Sequence, residues 1–374
     1  MDKIEHLLNS SGIHIFYVKV IFGFVCSFLV TFFSIPVIVK ISRRKNLMDE
    51  PGSRSSHIRK IPNLGGIALF YAICICASVF AYELFDIYRF LFASLVILLY
   101  IGVMDDIVVM RAYKKLIAQI IVSILIVVGS DVRIRSFFGI MGVYELNYYV
   151  SVIFSVLTFI FLINAFNLID GIDGLAGGYS VICSALFGIS YYRLGPYNYP
   201  VVVLTVVIIG AVLGFLYYNL KRTPRGNKIF MGDTGSMILG FLLAFTSILF
   251  IDIFIDKHLP NVPRYHLMSA PAIAVAVLII PIVDTLYVMI QRIIHRKSLF
   301  IADRNHIHHK LIDLGLTHRR ATLCIICYYL LVVLLAYFLR HTEVNKLLII
   351  ILLAGFSGAL IPDILLKFKR NRAL

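Results

Sequence analysis

Carboxylates recur in this chain where apolar runs end: Asp105-Asp106, then Asp170 and Asp173, then Asp233. Two adjacent carboxylates repel each other, so keeping both at an apolar boundary costs free energy unless a cation or a shared proton offsets it. Asp105-Asp106 alone would pass for a solvated turn. Three more carboxylates at other such ends, without a nearby excess of Lys or Arg, point instead to a bound cation. Asp170 and Asp173 are i and i+3, on one face if their segment is helical. Asn164, Asn167, Gly171, Gly174, Gly177 and Gly178 surround them. Helix packing would account for the glycines but leaves the Asn and Asp side chains unexplained. Asp233 follows Gly232 and precedes Thr234-Gly235-Ser236 at the start of an apolar run. Exposed amides at a helix N-terminus favour anions, and a carboxylate beside them can hold a metal that bridges to phosphate. Oxygen ligands with no thiol nearby suit a hard cation, Mg²⁺ or Mn²⁺.

A second group is basic. Asp303-Arg304-Asn305-His306-Ile307-His308-His309-Lys310 follows Arg292, Arg296 and Lys297. The histidine spacing is open to zinc, but the surrounding cations favour phosphate oxygens over a metal ion. Lys114 and Lys115 either return positive charge to the acidic cluster or snorkel at a membrane edge. The segment from Asp49 to Gly66, with Lys60 and Pro62-Asn63-Leu64-Gly65-Gly66, is rich in turn residues and donors and suits a phosphate or nucleotide, although the pattern is weak in isolation.

The elements that must hold these groups are membrane helices. The 374 residues are 60% hydrophobic and 15% charged, too apolar for a soluble domain of that length. Runs of about 16 to 25 apolar residues, long enough to cross ~30 Å of hydrocarbon, recur throughout. The expected spans are Ile15–Ile41, Leu64–Ala81, Tyr88–Val103, Leu116–Ser130, Tyr149–Asn164, Leu175–Tyr192, Pro200–Leu220, Ser236–Ile255, Met268–Ile290, Thr322–Leu339 and Leu347–Leu366, eleven in all. Continuous rather than alternating apolarity selects helices over a barrel. The fold expected is therefore all-α and polytopic, one membrane-embedded domain over 1–374, with every polar motif in a loop on one face. Alternate loops hold 25 of the 35 Lys and Arg, which puts those loops and the C-terminus in the cytoplasm and the N-terminus outside.

A net charge of +15 is accounted for by topology and by attraction to anionic headgroups, so no nucleic-acid partner is expected. All six cysteines fall within spans, and Cys324 and Cys327 have no second pair to complete a zinc site. Residues 131–148, with Gly139 and Gly142, suit a short hairpin.

Taken together, Pro62–Gly66, Asp105-Asp106, the run Asn164–Gly174, Met231–Ser236 and the histidine segment resemble the polyprenyl-phosphate N-acetylhexosamine-1-phosphate transferases of glycosyltransferase family 4. They come in that family's order and span roughly Asp49 to Gly315. The chain looks most like the WecA-type enzymes, which use UDP-N-acetylglucosamine. Ile307 interrupts the histidine run and counts against a peptidoglycan precursor as substrate.

The resemblance implies a multi-pass enzyme of the bacterial plasma membrane, with its site on the cytoplasmic face. A sugar-1-phosphate would pass from a UDP-sugar to undecaprenyl phosphate with Mg²⁺ and initiate an envelope polysaccharide such as lipopolysaccharide O-antigen. It implies catalytic roles for Asp105, Asp106, Asp170 and Asp233, with metal at Asp233 together with Asp106 or Asp170. Arg304, His306, His308 and His309 would meet the diphosphate or sugar, Asn167 and Asp173 the nucleotide, and Lys60 and Lys115 phosphates. Asp105 either organises or deprotonates the lipid phosphate. A lipid groove is expected near the fifth and ninth spans, and a homodimer is compatible with all of this. Other UDP-N-acetylhexosamines or UDP-MurNAc-pentapeptide remain open as donors. A secondary transporter and a membrane zinc hydrolase are the rivals from other classes, although transporters gather polar groups near the bilayer midplane rather than at span ends.

Overall fold

Apolar runs that cross hydrocarbon must satisfy their own backbone hydrogen bonds, and here they do so as helices. A computed structural model describes residues 15–48, 60–108, 110–221, 227–255, 267–296 and 305–371. The helices are α1 (Ile15–Arg44), α2 (Gly65–Phe80), α3 (Glu83–Ile87), α4 (Phe90–Val108), α5 (Ala112–Ile124), α6 (Tyr148–Ile169), α7 (Leu175–Arg193), α8 (Tyr199–Asn219) and α9 (Gly232–Asp252). They continue with α10 (Ala270–Val277), α11 (Ile279–Ile294), α12 (Ile307–Asp313), α13 (His318–Phe338) and α14 (Val344–Asn371). The expected hairpin is present as antiparallel β1 (Ser136–Ile140) and β2 (Val143–Glu145).

Among the described residues, nine helices are long and apolar enough to cross a membrane, α5 being counted with the π-helical turn Leu125–Gly129 that continues it, or ten if the bent pair α10 and α11 is one span. Of the eleven expected spans, nine are such helices, one is the bent pair and one is shorter. The second expected span, Leu64–Ala81, folds as the 16-residue α2, about 24 Å long at 1.5 Å per residue, short of ~30 Å of hydrocarbon. The ninth breaks: α10 and α11 meet at 79° around Leu278, whose backbone leaves the helical region (φ −109°, ψ 18°). Pro281 stands three residues on, where it has no N–H to give the preceding turn.

Helices also outrun the apolar stretches that announced them. The span expected to stop at Val103 continues as α4 to Val108, and the one expected to stop at Asn164 continues as α6 to Ile169. Asp105, Asp106, Asn164 and Asn167 thus lie on helices rather than in loops, and Asp233 sits in the first turn of α9. Hydropathy ends where side chains become polar, whereas a helix ends where its hydrogen bonds do.

The described residues divide into two compact units. One draws on Met1–Glu50, Arg59–Val109 and Gly177–Ile238, the other on Met110–Ala176 and Leu239–Leu374. In the first, α1 lies along α8 and α2. Gly210 and Gly214 of α8 permit this, because a Cβ on Gly210 would fall 2.2 Å from Ser27 Oγ and one on Gly214 2.7 Å from the Phe28 carbonyl oxygen. Such small-residue spacing lets membrane helices approach backbone to backbone. In the second unit, α6 packs on α5 and α11, while α14 packs on α10, α11, α12 and α13. Ile153, Leu331 and Leu353 are exposed, as faces turned to lipid require.

Candidate active site

In the first unit, two segments far apart in sequence are stitched together at the start of α9. The amides of Gly65 and Gly66, unpaired donors at the first turn of α2, donate to the carbonyls of Phe230 (3.0 Å) and Met231 (2.8 Å), and Phe230 donates to Pro62 (2.8 Å). These glycine amides are committed to main chain. The seam fixes the approach to Gly232, which turns at φ +73° and opens α9. A side chain there would meet Asn63 O at 2.0 Å.

The free donors of α9 are met from α4. Asp106 accepts the Asp233 N–H through Oδ1 (2.8 Å), and through Oδ2 both the Thr234 N–H (3.1 Å) and the Thr234 hydroxyl (2.6 Å). Asn63 Nδ2 in turn donates to the Asp106 carbonyl (3.2 Å). Asp106 is thus a cap contributed by another helix, and it holds Asp233 beside it. Asp105 is also buried, and Lys60 is exposed.

Whether these residues suit a divalent cation can be judged from their chemistry. No group of three or more His, Cys, Asp and Glu side chains forms a metal cage among the described residues. Mg²⁺ does not ask for one, since it commonly takes one or two carboxylates and completes its shell with phosphate oxygens and water. Asp233, with Asp106 capping the turn from which it projects, is an oxygen-only pair of that kind, and the residues fit.

The second unit holds the other expected residues. Asn164 exchanges hydrogen bonds with Gln119 (Nδ2 to Oε1 2.6 Å, Nε2 to Oδ1 3.2 Å), which ties α6 to α5. Asn167 stands on the last turn of α6, and half-buried Lys115 belongs to α5. Residues 170–174 form turns rather than a helix, so Asp170 and Asp173 do not share a helical face; Gly174 at φ +79° leads into α7. Asp173 O accepts the Thr322 hydroxyl (3.0 Å).

The histidine segment lies against this turn. A Cβ on Gly171 would fall 2.1 Å from His308 Nε2, so the ring occupies the space that a side chain at 171 would need. The rings of His306 and His308 are nearly parallel with centroids 5.9 Å apart, and that of His309 lies 4.3 Å from His308. Arg304 lies outside the described residues.

His308 is driven to the neutral form. Burial, with repulsion from His309 and His306, outweighs the attraction of Asp284 and pushes its pKa down to about 3. It therefore brings no positive charge to the site at neutral pH. An unfolded histidine titrates at about 6.5, so below that value the unfolded chain binds a proton that the native chain refuses. Stability is then lost as pH falls from about 6.5 towards 3. The drop in Tm between about pH 7.5 and about pH 5 should be smaller for His308→Gln than for the wild type in detergent melts.

One residue escaped the sequence reading. Asp284, in the second turn of α11 and 1% exposed, accepts from His306 Nδ1 (2.9 Å) and from the Ile307 N–H (2.8 Å). A lone carboxylate inside an apolar span was the available signal.

Comparison with known proteins decides the family. The model of "Glycosyl transferase family 4" matches residues 88–251. The "Probable undecaprenyl-phosphate N-acetylglucosaminyl 1-phosphate transferase" of Bacillus subtilis (strain 168) is 31% identical over 311 residues, 82% of this chain and 81% of the relative. The chain belongs to glycosyl transferase family 4. The undecaprenyl-phosphate alpha-N-acetylglucosaminyl 1-phosphate transferase of Escherichia coli (strain K12) is 30% identical, covering 75% of the chain and 73% of the relative. The decaprenyl-phosphate N-acetylglucosaminephosphotransferase of Mycobacterium tuberculosis (strain ATCC 25618 / H37Rv) is also 30% identical, covering 79% and 76%. The family 4 match takes in Asp105, Asp106, Asp170, Asp173 and Asp233 but ends before Asp284 and the histidines.

Proposed function

We propose that this family 4 member transfers N-acetylglucosamine-1-phosphate from UDP-N-acetylglucosamine to undecaprenyl phosphate. UMP is released, and the product is the lipid-linked diphosphate sugar that starts an envelope polysaccharide. The reading is carried by relatives named for this transfer and aligned over three quarters or more of the chain. The paired carboxylates at the start of α9 and the buried histidines supply suitable chemistry. On this reading the site faces the cytoplasm at the inner membrane, as the bias of Lys and Arg suggests.

The obstacle to the reaction is repulsion between two phosphates as a lipid phosphate oxygen attacks the β-phosphorus. When bound, Mg²⁺ neutralises phosphate oxygens and stabilises charge on the leaving UMP. Asp233 and Asp106 would hold it, with Asp170 the further candidate. Lys60, Lys115 and Arg304 offset phosphate charge, while His306, His308 and His309 bind diphosphate or sugar. Asn167 and Asp173 meet the nucleotide. Asp105 organises the lipid phosphate; no strong base is needed, since the second phosphate proton leaves at about pH 6.

Purified protein in detergent, given undecaprenyl phosphate, Mg²⁺ and one donor at a time, should form UMP and lipid product from UDP-N-acetylglucosamine. EDTA should stop the reaction, and Mg²⁺ or Mn²⁺ should restore it. Product only from UDP-N-acetylgalactosamine or UDP-MurNAc-pentapeptide would overturn the donor assignment alone. No product from any donor, with uptake of a solute into proteoliposomes, would replace the transferase by a transporter.

A further inference from the structure

We propose that Asp284 is the positioning residue for His306, fixing its ring so that Nε2 is presented as an acceptor to a hydroxyl or N–H of the sugar nucleotide. This rests on the transferase reading and adds to it a residue at the far side of the imidazole.

The carboxylate is out of place by packing alone. Its neighbours on α11, Ile279, Ile280, Val283, Tyr287 and Val288, are all buried, and an apolar residue at 284 would continue that face. Burying an ionised group is costly, and buried pairs are often replaceable by apolar residues without loss of stability. An ionisable residue kept inside an apolar span therefore marks function more readily than stability. Among the described residues, no Lys or Arg pairs with Asp284, whose side-chain partner is His306.

Both carboxylate oxygens are employed. Oδ2 faces His306 Nδ1 at 2.9 Å and Oδ1 accepts the Ile307 N–H at 2.8 Å. An ionised carboxylate only accepts, so Nδ1 carries the ring's hydrogen and Nε2 is left to accept one from a ligand hydroxyl or N–H. One side chain thereby fixes the tautomer, the ring plane and the start of α12. Carboxylates that orient a working imidazole from behind act in this way in metal sites and in serine hydrolases. His306 is 4% exposed, so its ring has little freedom to turn away, and α11 supplies a rigid platform for it.

The test uses the full-length enzyme in detergent with UDP-N-acetylglucosamine, undecaprenyl phosphate and Mg²⁺, and compares Asp284→Asn, Asp284→Glu, His306→Ala and the double variant Asp284→Asn/His306→Ala. An Asn has one acceptor oxygen, so either the ring or the Ile307 amide loses its partner. Asp284→Asn should lower kcat by roughly 10- to 100-fold with little change in KM, and Asp284→Glu should recover part of the loss. In the His306→Ala background, Asp284→Asn should cost less than about 3-fold more. Additive losses, or wild-type kcat in Asp284→Asn, would overturn the role.

If Asp284→Asn does not fold, His306→Asn decides. Its amide can donate to Asp284 as Nδ1 does but has no counterpart of Nε2, so it should melt like the wild type and lose kcat by at least roughly 10-fold; wild-type kcat in His306→Asn overturns the proposal. Wild-type turnover in the same assay separates the two levels. Its absence sinks the transferase reading and this role with it, whereas wild-type turnover with an unaffected Asp284→Asn sinks only the role of Asp284.

Discussion

Replacing Asp233 by Asn should abolish cation-dependent turnover, by roughly 10³-fold or more, in a protein that melts close to the wild-type temperature. Asp233 contributes its backbone N–H to the seam, donated to Asp106, and Asn keeps that donor. The charge that would hold a divalent ion is lost. Asp106→Asn should behave differently. Asp106 accepts two amides and a hydroxyl, and an amide side chain can satisfy only part of that set. With hydrogen bonds to charged groups worth about 1.5–3 kcal/mol each, Asp106→Asn should lose both turnover and several degrees of Tm. Activity assays paired with melts in detergent separate the two. A folded Asp233→Asn enzyme with normal turnover would remove Asp233 from the metal site, and equal losses of Tm would refute the division of labour.

Gly171→Ala should be the most damaging single methyl in the second unit. Its Cβ would sit 2.1 Å from His308 Nε2, so the ring or the turn must move. Overpacking of this kind costs about 1–3 kcal/mol, and displacing a ring in the site should cut turnover by about 10²-fold. Trimming the ring relieves the clash: Gly171→Ala/His308→Ala should melt at a higher temperature than Gly171→Ala alone while remaining impaired in turnover. If the second substitution lowers Tm further, His308 does not occupy the space beside Gly171.

The membrane fold was legible because hydropathy reports which stretches prefer lipid, and each expected span corresponds to a helix or a bent pair. Helix ends were not legible, since Asp105 and Asn167 are polar yet remain on helices. The 16-residue length of α2 was hidden for the opposite reason: Leu64 and Ala81 are apolar and buried but lie outside the helix. At the site, residue types announced the chemistry of Asp106 and Asp233, but the capping bond spans 127 positions and has no local pattern. Likewise nothing around Gly171 signals that its missing side chain makes room for His308. Asp284 was passed over because its partners, His306 and Ile307, lie 22 and 23 residues on.

The seam between α2 and α9 has a consequence for how the protein would answer saturation mutagenesis. A Cβ on Gly66 would lie 2.2 Å from Gly235 N, and one on Gly102 would lie 2.4 Å from Thr234 Cα. Both would push on the turn that carries Asp233 without any contact with substrate. In an activity screen these glycines would rank beside the reacting carboxylates, so the apparent footprint of the active site would extend into the helix scaffold. For a small-molecule inhibitor the same rigidity means that escape by reshaping this turn is closed off, because the residues that would have to give way are backbone.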